Sequence, residues 1–243
     1  MMIITSCDYL GGRHEHLISG ANGATGRLLT RRVLDAGHSA VAVTRRPGDF
    51  PLTDPALSIV GADVHDAAAL VDVVAGADAV ISTLGVPFTR ESVDTYSVGT
   101  ANIVAAMHEA DTRRLVVVSS TGAFPAPGRI DAPFALRIFE PVITRTIGKT
   151  VYDDMRRMET IVRGSGLGAT IVRPSGLFDL PYVTEYVAGE GDPVGAFTSR
   201  SDLADYLLAL ATTSGGPHTV TISTITDTPT MWQMIRHEAF KSA

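Results

Sequence analysis

A single cysteine, Cys7, stands among the 243 residues, and one thiol excludes an intrachain disulfide and a cysteine-built zinc site. Such a chain fits a reducing compartment, and the cytoplasm is the expected location. Long apolar runs are missing too: the most apolar window, residues 67–86, is broken by Asp72 and Asp78 and punctuated like strand and turn, so no membrane span is expected. Basic stretches are equally scarce. Twenty Lys and Arg are scattered among 26 Asp and Glu, the net charge is −6, and no stripe exists for a nucleic acid to follow. No Ser/Gly-rich linker divides the chain, which leaves one domain. Residues 1–13 lack the basic start and long apolar core of a secretory leader and are expected to be a flexible extension, with 14–243 forming the domain. His14 and His16 would put two imidazoles on one strand face, but no third ligand accompanies them and no metal is expected.

What the chain does have is an apolar run, Leu17-Ile18-Ser19, that enters Gly20-Ala21-Asn22-Gly23-Ala24-Thr25-Gly26 and then a helix with Leu29, Val33 and Ala36 at i, i+4, i+7. The bare glycine spacing is weak evidence; the strand before it and the helix and second strand (40–44) after it give it meaning. Gly20 permits the sharp exit from a strand, Gly23 a close approach of backbone to a pyrophosphate, and Gly26 close packing of helix on strand. The first-turn amides, with Asn22, Ala24 and Thr25 around them, then face phosphate oxygens at a helix amino end. The second strand ends in Thr44-Arg45-Arg46, where a carboxylate would grip the 2′-hydroxyl of NAD and an arginine suits the 2′-phosphate of NADP. Two arginines and no acid favour NADP(H) over NAD(H); a solvated pair at the start of a loop is the alternative.

Strands alternate with helices along the rest of the chain, so the fold expected is α/β, one Rossmann-type doubly wound parallel sheet with helices on both faces. A third strand, 57–60, leads to Gly61-Ala62-Asp63-Val64. Asp63 is placed to accept from an adenine amino group or to cap the helix 67–74. A fourth strand, 79–83, ends in Leu84-Gly85 beside a ribose path. A helix over 92–110 is expected to bury Val98, Ala101 and Ala105. The fifth strand opens into Ser119-Ser120-Thr121-Gly122, hydroxyls that either meet substrate or cap the turn. After it the proline-rich stretch 124–133 offers a wall or lid. A helix over 150–163 follows, then a strand ending in Arg173-Pro174-Ser175, whose main chain can hold a carboxamide. A helix over 202–211, a strand around 218–222 and a C-terminal helix from Thr230 complete the reading, with a substrate pocket built from loops 121–135 and 175–200.

Gly20 to Gly26, Val43-Thr44-Arg45, Gly61-Ala62-Asp63, Val118-Ser119-Ser120, Ser165-Gly166-Leu167 with Thr170 to Pro174, and Ser201 to Asp205 together resemble the atypical short-chain dehydrogenase/reductases, in particular their NmrA-like and flavin/biliverdin-IXβ-reductase-like NAD(P)H-binding group. The resemblance implies a Rossmann fold, NADP(H) and a small-molecule acceptor above the sheet. It assigns phosphates to Gly20, Gly23 and Gly26, the 2′-phosphate to Arg45, adenine to Asp63 and Val64, ribose to Leu84 and Gly85, nicotinamide to Ser119, and carboxamide to Pro174 and Ser175. Many relatives carry a tyrosine with a lysine four residues on. Anchored on Glu159 and Ser165-Gly166-Leu167, those two roles fall on Val151 and Met155. Tyr152 and Arg156 keep the spacing one residue along, a rotation of about 100°, so the Tyr152 phenol is expected to point away from nicotinamide. Candidate catalytic residues are therefore Thr121 and Tyr152, in a pocket with Phe124, Phe178 and Tyr182. The expected activity is hydride transfer to a flavin or quinone; the alternative is an NADP(H)-sensing regulator without turnover. Oligomeric state is left open.

Overall fold

The computed structural model describes residues 2–4, 12–124, 148–213, 219–230 and 233. The near-continuously apolar segments form the strands of one sheet. They are β2 (Glu15–Ser19), β3 (Ser39–Thr44), β4 (Leu57–Gly61), β5 (Ala79–Ser82), β6 (Arg114–Val118), β7 (Gly168–Pro174) and β11 (Thr219–Thr224), all parallel, ordered β4-β3-β2-β5-β6-β7-β11. Both faces are covered, as a parallel sheet requires. Helices α1 (Ala24–Asp35) and α5 (Arg200–Thr212) pack together on one face; α2 (Ala67–Val74), α3 (Thr95–Glu109) and α4 (Lys149–Gly164) pack on the other.

Side-chain alternation along β2 divides the core. Leu17 joins Leu70, Ile103, Met107 and Met158 on one side, while Ile18 joins Leu29, Val33, Leu203 and Leu207 on the other. Each such side chain, fully buried, contributes about 1.5–3 kcal/mol. From β2 the chain winds outward to β3 and β4, then returns to start β5 on its other side. The topological switch therefore lies between β2 and β5, and ligands of open α/β sheets bind in the crevice outside the carboxyl ends there.

Several expectations are corrected. Within the extension 1–13, Met2–Ile4 form a strand, β1, antiparallel to β9 (Tyr186–Gly189), which itself pairs with β11. Two β-branched residues extend an otherwise open edge, and Ile4 is buried there. Helix α3 is shorter than 92–110, and it buries Tyr96, Gly99, Ile103 and Met107 while Val98 and Ala105 stay exposed. Packed between α2 and α4, it has two buried sides, so apolar spacing alone picks the wrong stripe. The final strand, Thr219–Thr224, matches the expected 218–222 within the described residues, and a short parallel pair, β8 (Gly176–Phe178) with β10 (Phe197–Ser199), was not expected. The wall or lid assigned to 124–133, apart from Phe124, the rest of the pocket loop to 135, and the C-terminal helix apart from Thr230 and Gln233 lie outside the described residues.

Candidate functional site

At the switch point Gly20 leaves β2 with φ +74°, a left-handed value that favours glycine, and a Cβ there would lie 2.8 Å from the Thr83 carbonyl oxygen. A Cβ on Gly26 would lie 2.5 Å from the Gly20 oxygen and 2.7 Å from Ala21 backbone, so this glycine lets α1 seat directly on the turn. Gly23 differs. It is exposed, donates to the Gly20 carbonyl at 3.0 Å, and a Cβ there would meet only that oxygen, at 3.3 Å. No side chain caps α1 at Gly23, so the amides of Ala24, Thr25 and Gly26 are the donors a helix start leaves without intrahelical partners. Asn22 accepts from the Arg27 Nε at 2.9 Å, bracing the turn. Thr83 donates its hydroxyl to the Ser19 carbonyl at 2.9 Å and ties the end of β5 to that of β2. These residues fit a bound dinucleotide: a cradle closed underneath and open above, with positive dipole ends facing out.

Arg45 is exposed just past β3, and among the described residues it makes no hydrogen bond or ion pair. Asp63 stands across from it. One carboxylate oxygen of Asp63 accepts from both the backbone amide and the ring Nδ1 of His65, each at 3.0 Å, and the His65 Nε2 reaches Asp94 at 3.2 Å. The amide hydrogen bond holds the Asp63 carboxyl below its ordinary range, and the Asp63 bond raises His65. Asp63 does not cap α2; Asp66 does, accepting from the Ala69 amide. Val64 is buried, and its carbonyl accepts from the Asn102 Nδ2 at 2.9 Å. Leu84 is half-buried and Gly85 is exposed, with nothing within 4 Å of where its Cβ would be.

The three hydroxyls after β6 have three fates. Ser119, assigned to nicotinamide, is 3% exposed and donates to the buried Glu159 at 2.7 Å, so its hydroxyl serves the interior. Ser120 caps the following turn by accepting from the Gly122 amide. The Thr121 hydroxyl makes no hydrogen bond among the described residues. Tyr152 covers this turn: a Cβ on Gly122 would lie 2.7 Å from both its ring and its hydroxyl. Helix α4 lies beside β6 and aims Tyr152 and Arg156, a helical turn apart, at the strand's carboxyl end. Arg156 donates to the Ala123 carbonyl at 2.6 Å and pairs with Asp153. Phe88 stacks near Tyr152 at 5.7 Å, and Phe124 lies under the Arg173 guanidinium at 3.9 Å.

Glu159 is the residue that sequence reading used only as a landmark. It accepts from Ser119, Arg163 and, through both oxygens, Arg173, thereby joining α4, β6 and β7. A carboxylate beside the apolar stripe Val151, Met155, Met158 and Val162 was the available signal. Asp154, also fully buried, accepts from the Tyr96 and Ser97 amides and so caps α3 from the neighbouring helix. At the end of β7, proline has no amide, Ser175 donates its own to Thr198 and Ile222, and Gly176 donates to Ala196. The amides of Ser175 and Gly176 are thus engaged with the β10 and β11 side of the fold, which leaves carbonyl groups as the main-chain partners this turn has for a carboxamide. The structure also separates two residues from the expected pocket. Phe178 is buried edge-on against Phe197, and Tyr182 lies over α1 and α5. Among the described residues, no group of His, Cys, Asp or Glu is placed to hold a metal ion, and no helix is long and apolar enough to cross a membrane.

Comparison with known proteins places this geometry. An uncharacterized protein of Mycobacterium tuberculosis H37Rv is 36% identical over 104 residues, 42% of this chain and 12% of that protein; one from Arabidopsis thaliana is 32% identical over 177 residues, covering 68% and 59%. The chain therefore spans a small part of the mycobacterial relatives. Among solved structures, a short-chain dehydrogenase/reductase of Veillonella parvula in complex with NADP superposes with TM-score 0.70 at 18% identity (89% of this chain, 96% of that one). ChuY, an anaerobillin reductase of Escherichia coli O157:H7, gives 0.69 at 18% (89% and 100%). At such identities these two show the fold. The profile described as NAD(P)H-binding matches residues 20–214, from the glycine turn to the end of α5. With that span and a cradle shaped for a dinucleotide, the chain belongs to the NAD(P)H-binding family.

Proposed function

We propose that this protein is an NADPH-dependent reductase that delivers hydride to a small planar acceptor such as a flavin or a quinone. The observation that carries the reading is the end of β6, where the unengaged Thr121 hydroxyl and the Tyr152 ring stand two strands from the glycine cradle. Gly20, Gly23, Gly26 and the first-turn amides of α1 would hold the pyrophosphate. Arg45 would hold the 2′-phosphate, the second carboxylate oxygen of Asp63 the adenine amino group, and Leu84 and Gly85 the ribose edge. When bound, NADPH supplies a hydride from its nicotinamide; a flavin or quinone takes that hydride and one proton from water. Phe88 and Tyr152 offer an aromatic wall for such an acceptor, and Thr121 a neutral hydrogen bond to its polar edge. Orientation supplies most of the rate, with little demand for a strong acid. Arg156 supports that economy of acid chemistry, because its guanidinium engages the Ala123 carbonyl and Asp153. That the structural neighbours include a reductase supports the same reading.

Steady-state oxidation of NADPH with flavins, quinones and aldehydes tests it. Turnover is expected with the first two. Thr121→Ala should lower the rate by tenfold at most, the loss of about 0.5–1.5 kcal/mol, and Tyr152→Phe should keep most of it. A drop of about 10²–10⁴-fold in Tyr152→Phe would identify a general acid and redirect the reading to carbonyl reduction. Tight NADPH binding without turnover on any acceptor would favour a cofactor sensor instead.

A further inference from the structure

Between the loop after β4 and the start of α3, one imidazole bridges two carboxylates. The His65 Nδ1 lies 3.0 Å from an Asp63 oxygen, and its Nε2 lies 3.2 Å from an Asp94 oxygen. An ionised carboxylate only accepts, and neutral imidazole has a single N–H, so a ring that donates on both sides is the imidazolium. Asp63 and Asp94 are the charged groups that face the ring. The hydrogen bond to Asp63, and after it the one to Asp94, raises the His65 pKa above the ordinary 6.5 against the opposing effect of burial. Asp66, the next residue, is turned instead to the Ala69 amide.

Asp94 stands at the N-cap of α3, yet its side chain makes no capping bond there. The Tyr96 and Ser97 amides donate to Asp154 of α4, at 2.8 and 3.3 Å. Capping is thus supplied from the neighbouring helix, and the Asp94 carboxylate is left for His65. At the other end of the bridge, the His65 amide and Nδ1 hold the same oxygen of Asp63. The second Asp63 oxygen has no hydrogen-bond partner among the described residues, and 45% of that side chain is in solvent. Arg45 is near enough to help lower the Asp63 pKa and still forms no ion pair with it. An acid and a guanidinium in electrostatic reach of each other pair unless something holds them apart, and here His65 holds the acid. Bonds this exposed add little to stability; what they fix is the direction of a carboxylate.

We propose that His65 is the positioning residue for purine recognition: bridged to Asp94, it pins one Asp63 oxygen, leaves the other for the exocyclic amine of a 6-aminopurine, and keeps Asp63 off Arg45. The inference rests on the reading of the glycine turn as a dinucleotide cradle. A 6-oxopurine has no amine hydrogen to donate and sets an oxygen against the pinned carboxylate. Titrations with NADPH and with its deaminated, hypoxanthine-containing counterpart test the discrimination. The unaltered protein should favour NADPH by about tenfold or more, the worth of a hydrogen bond to a charged group. His65→Leu should lower that ratio several-fold, and His65→Asn, whose amide can replace the Nδ1 donor, should restore most of it. In the cofactor-free protein, nitrogen NMR of the ring should show both nitrogens protonated and a titration point above 6.5, which Asp94→Asn should lower. A ratio unchanged in His65→Leu, including a loss of both cofactors alike, would reduce His65 to a brace of the loop and overturn the proposal. A ring that titrates at or below 6.5 would overturn the bridge itself. Failure of the unaltered protein to bind either cofactor would overturn the cradle reading, and the proposal with it, even with the NMR result as expected.

Discussion

Lowering the pH from about 7.5 to about 4 tests the packing under β2 at one residue, His16. Its ring is fully buried, and neither ring nitrogen has a hydrogen-bond partner. The rings of His38 and His14 lie 5.2 and 6.0 Å away, and Asp78 sits 3.5 Å from His14. Burial, then the two neighbouring imidazoles, pushes the His16 pKa down from 6.5 to about 4, with Asp78 opposing weakly. The unfolded chain takes up this proton near pH 6.5 and the folded one only near pH 4. Stability is therefore fully present above pH 6.5 and falls through the window between those values. The gap corresponds to about 3 kcal/mol once both states are protonated, of which about 2 kcal/mol is gone at pH 5. His38 shifts the same way through burial and His14. Urea midpoints across this range, for the protein and for His16→Leu, isolate the effect, since carboxylates titrate alike in both. The variant should lose about 2 kcal/mol less between pH 7.5 and pH 5. Parallel curves would show that His16 takes up its proton alike in the folded and unfolded states, and would refute the reasoning.

Other substitutions follow from the same geometry. Gly23→Val should abolish NADPH binding with the thermal midpoint nearly unmoved, because only the Gly20 oxygen limits the space there; retained binding would place the phosphates elsewhere. Gly26→Ala should cost about 1–3 kcal/mol in urea unfolding, since rigid backbone occupies the added carbon's place. Glu159→Ala should cost about 3–5 kcal/mol by stranding Arg173 and the Ser119 hydroxyl in the interior; a loss below about 1 kcal/mol would mean that water replaces the carboxylate.

The parts of this molecule that were legible in the sequence are those written locally. Gly20, Gly23 and Gly26 specify a turn by what their backbones alone can do, and the apolar runs 17–19, 40–43, 79–81 and 115–118 have the unbroken character of strands covered on both faces. Arg45 stood at a fixed distance from that turn and is found exposed beside Asp63. What failed was written between elements. Whether Ser119 faces a ligand or Glu159 depends on how α4 lies against β6, which no spacing within either segment encodes. Tyr182 was read by its proximity to Phe178 in the chain, whereas the loop carries it across to α1.

The central claim, a dinucleotide cradle tuned by Arg45 for a 2′-phosphate, is tested most directly by titrating the unaltered protein and Arg45→Ala with NADPH and NADH. NADPH should bind more tightly to the unaltered protein, and the variant should lose about ten- to a hundredfold of that affinity, the 1.5–3 kcal/mol of a charge-assisted bond, with NADH little changed. Equal affinities for the two cofactors in the unaltered protein, or a loss of both alike in the variant, would contradict it.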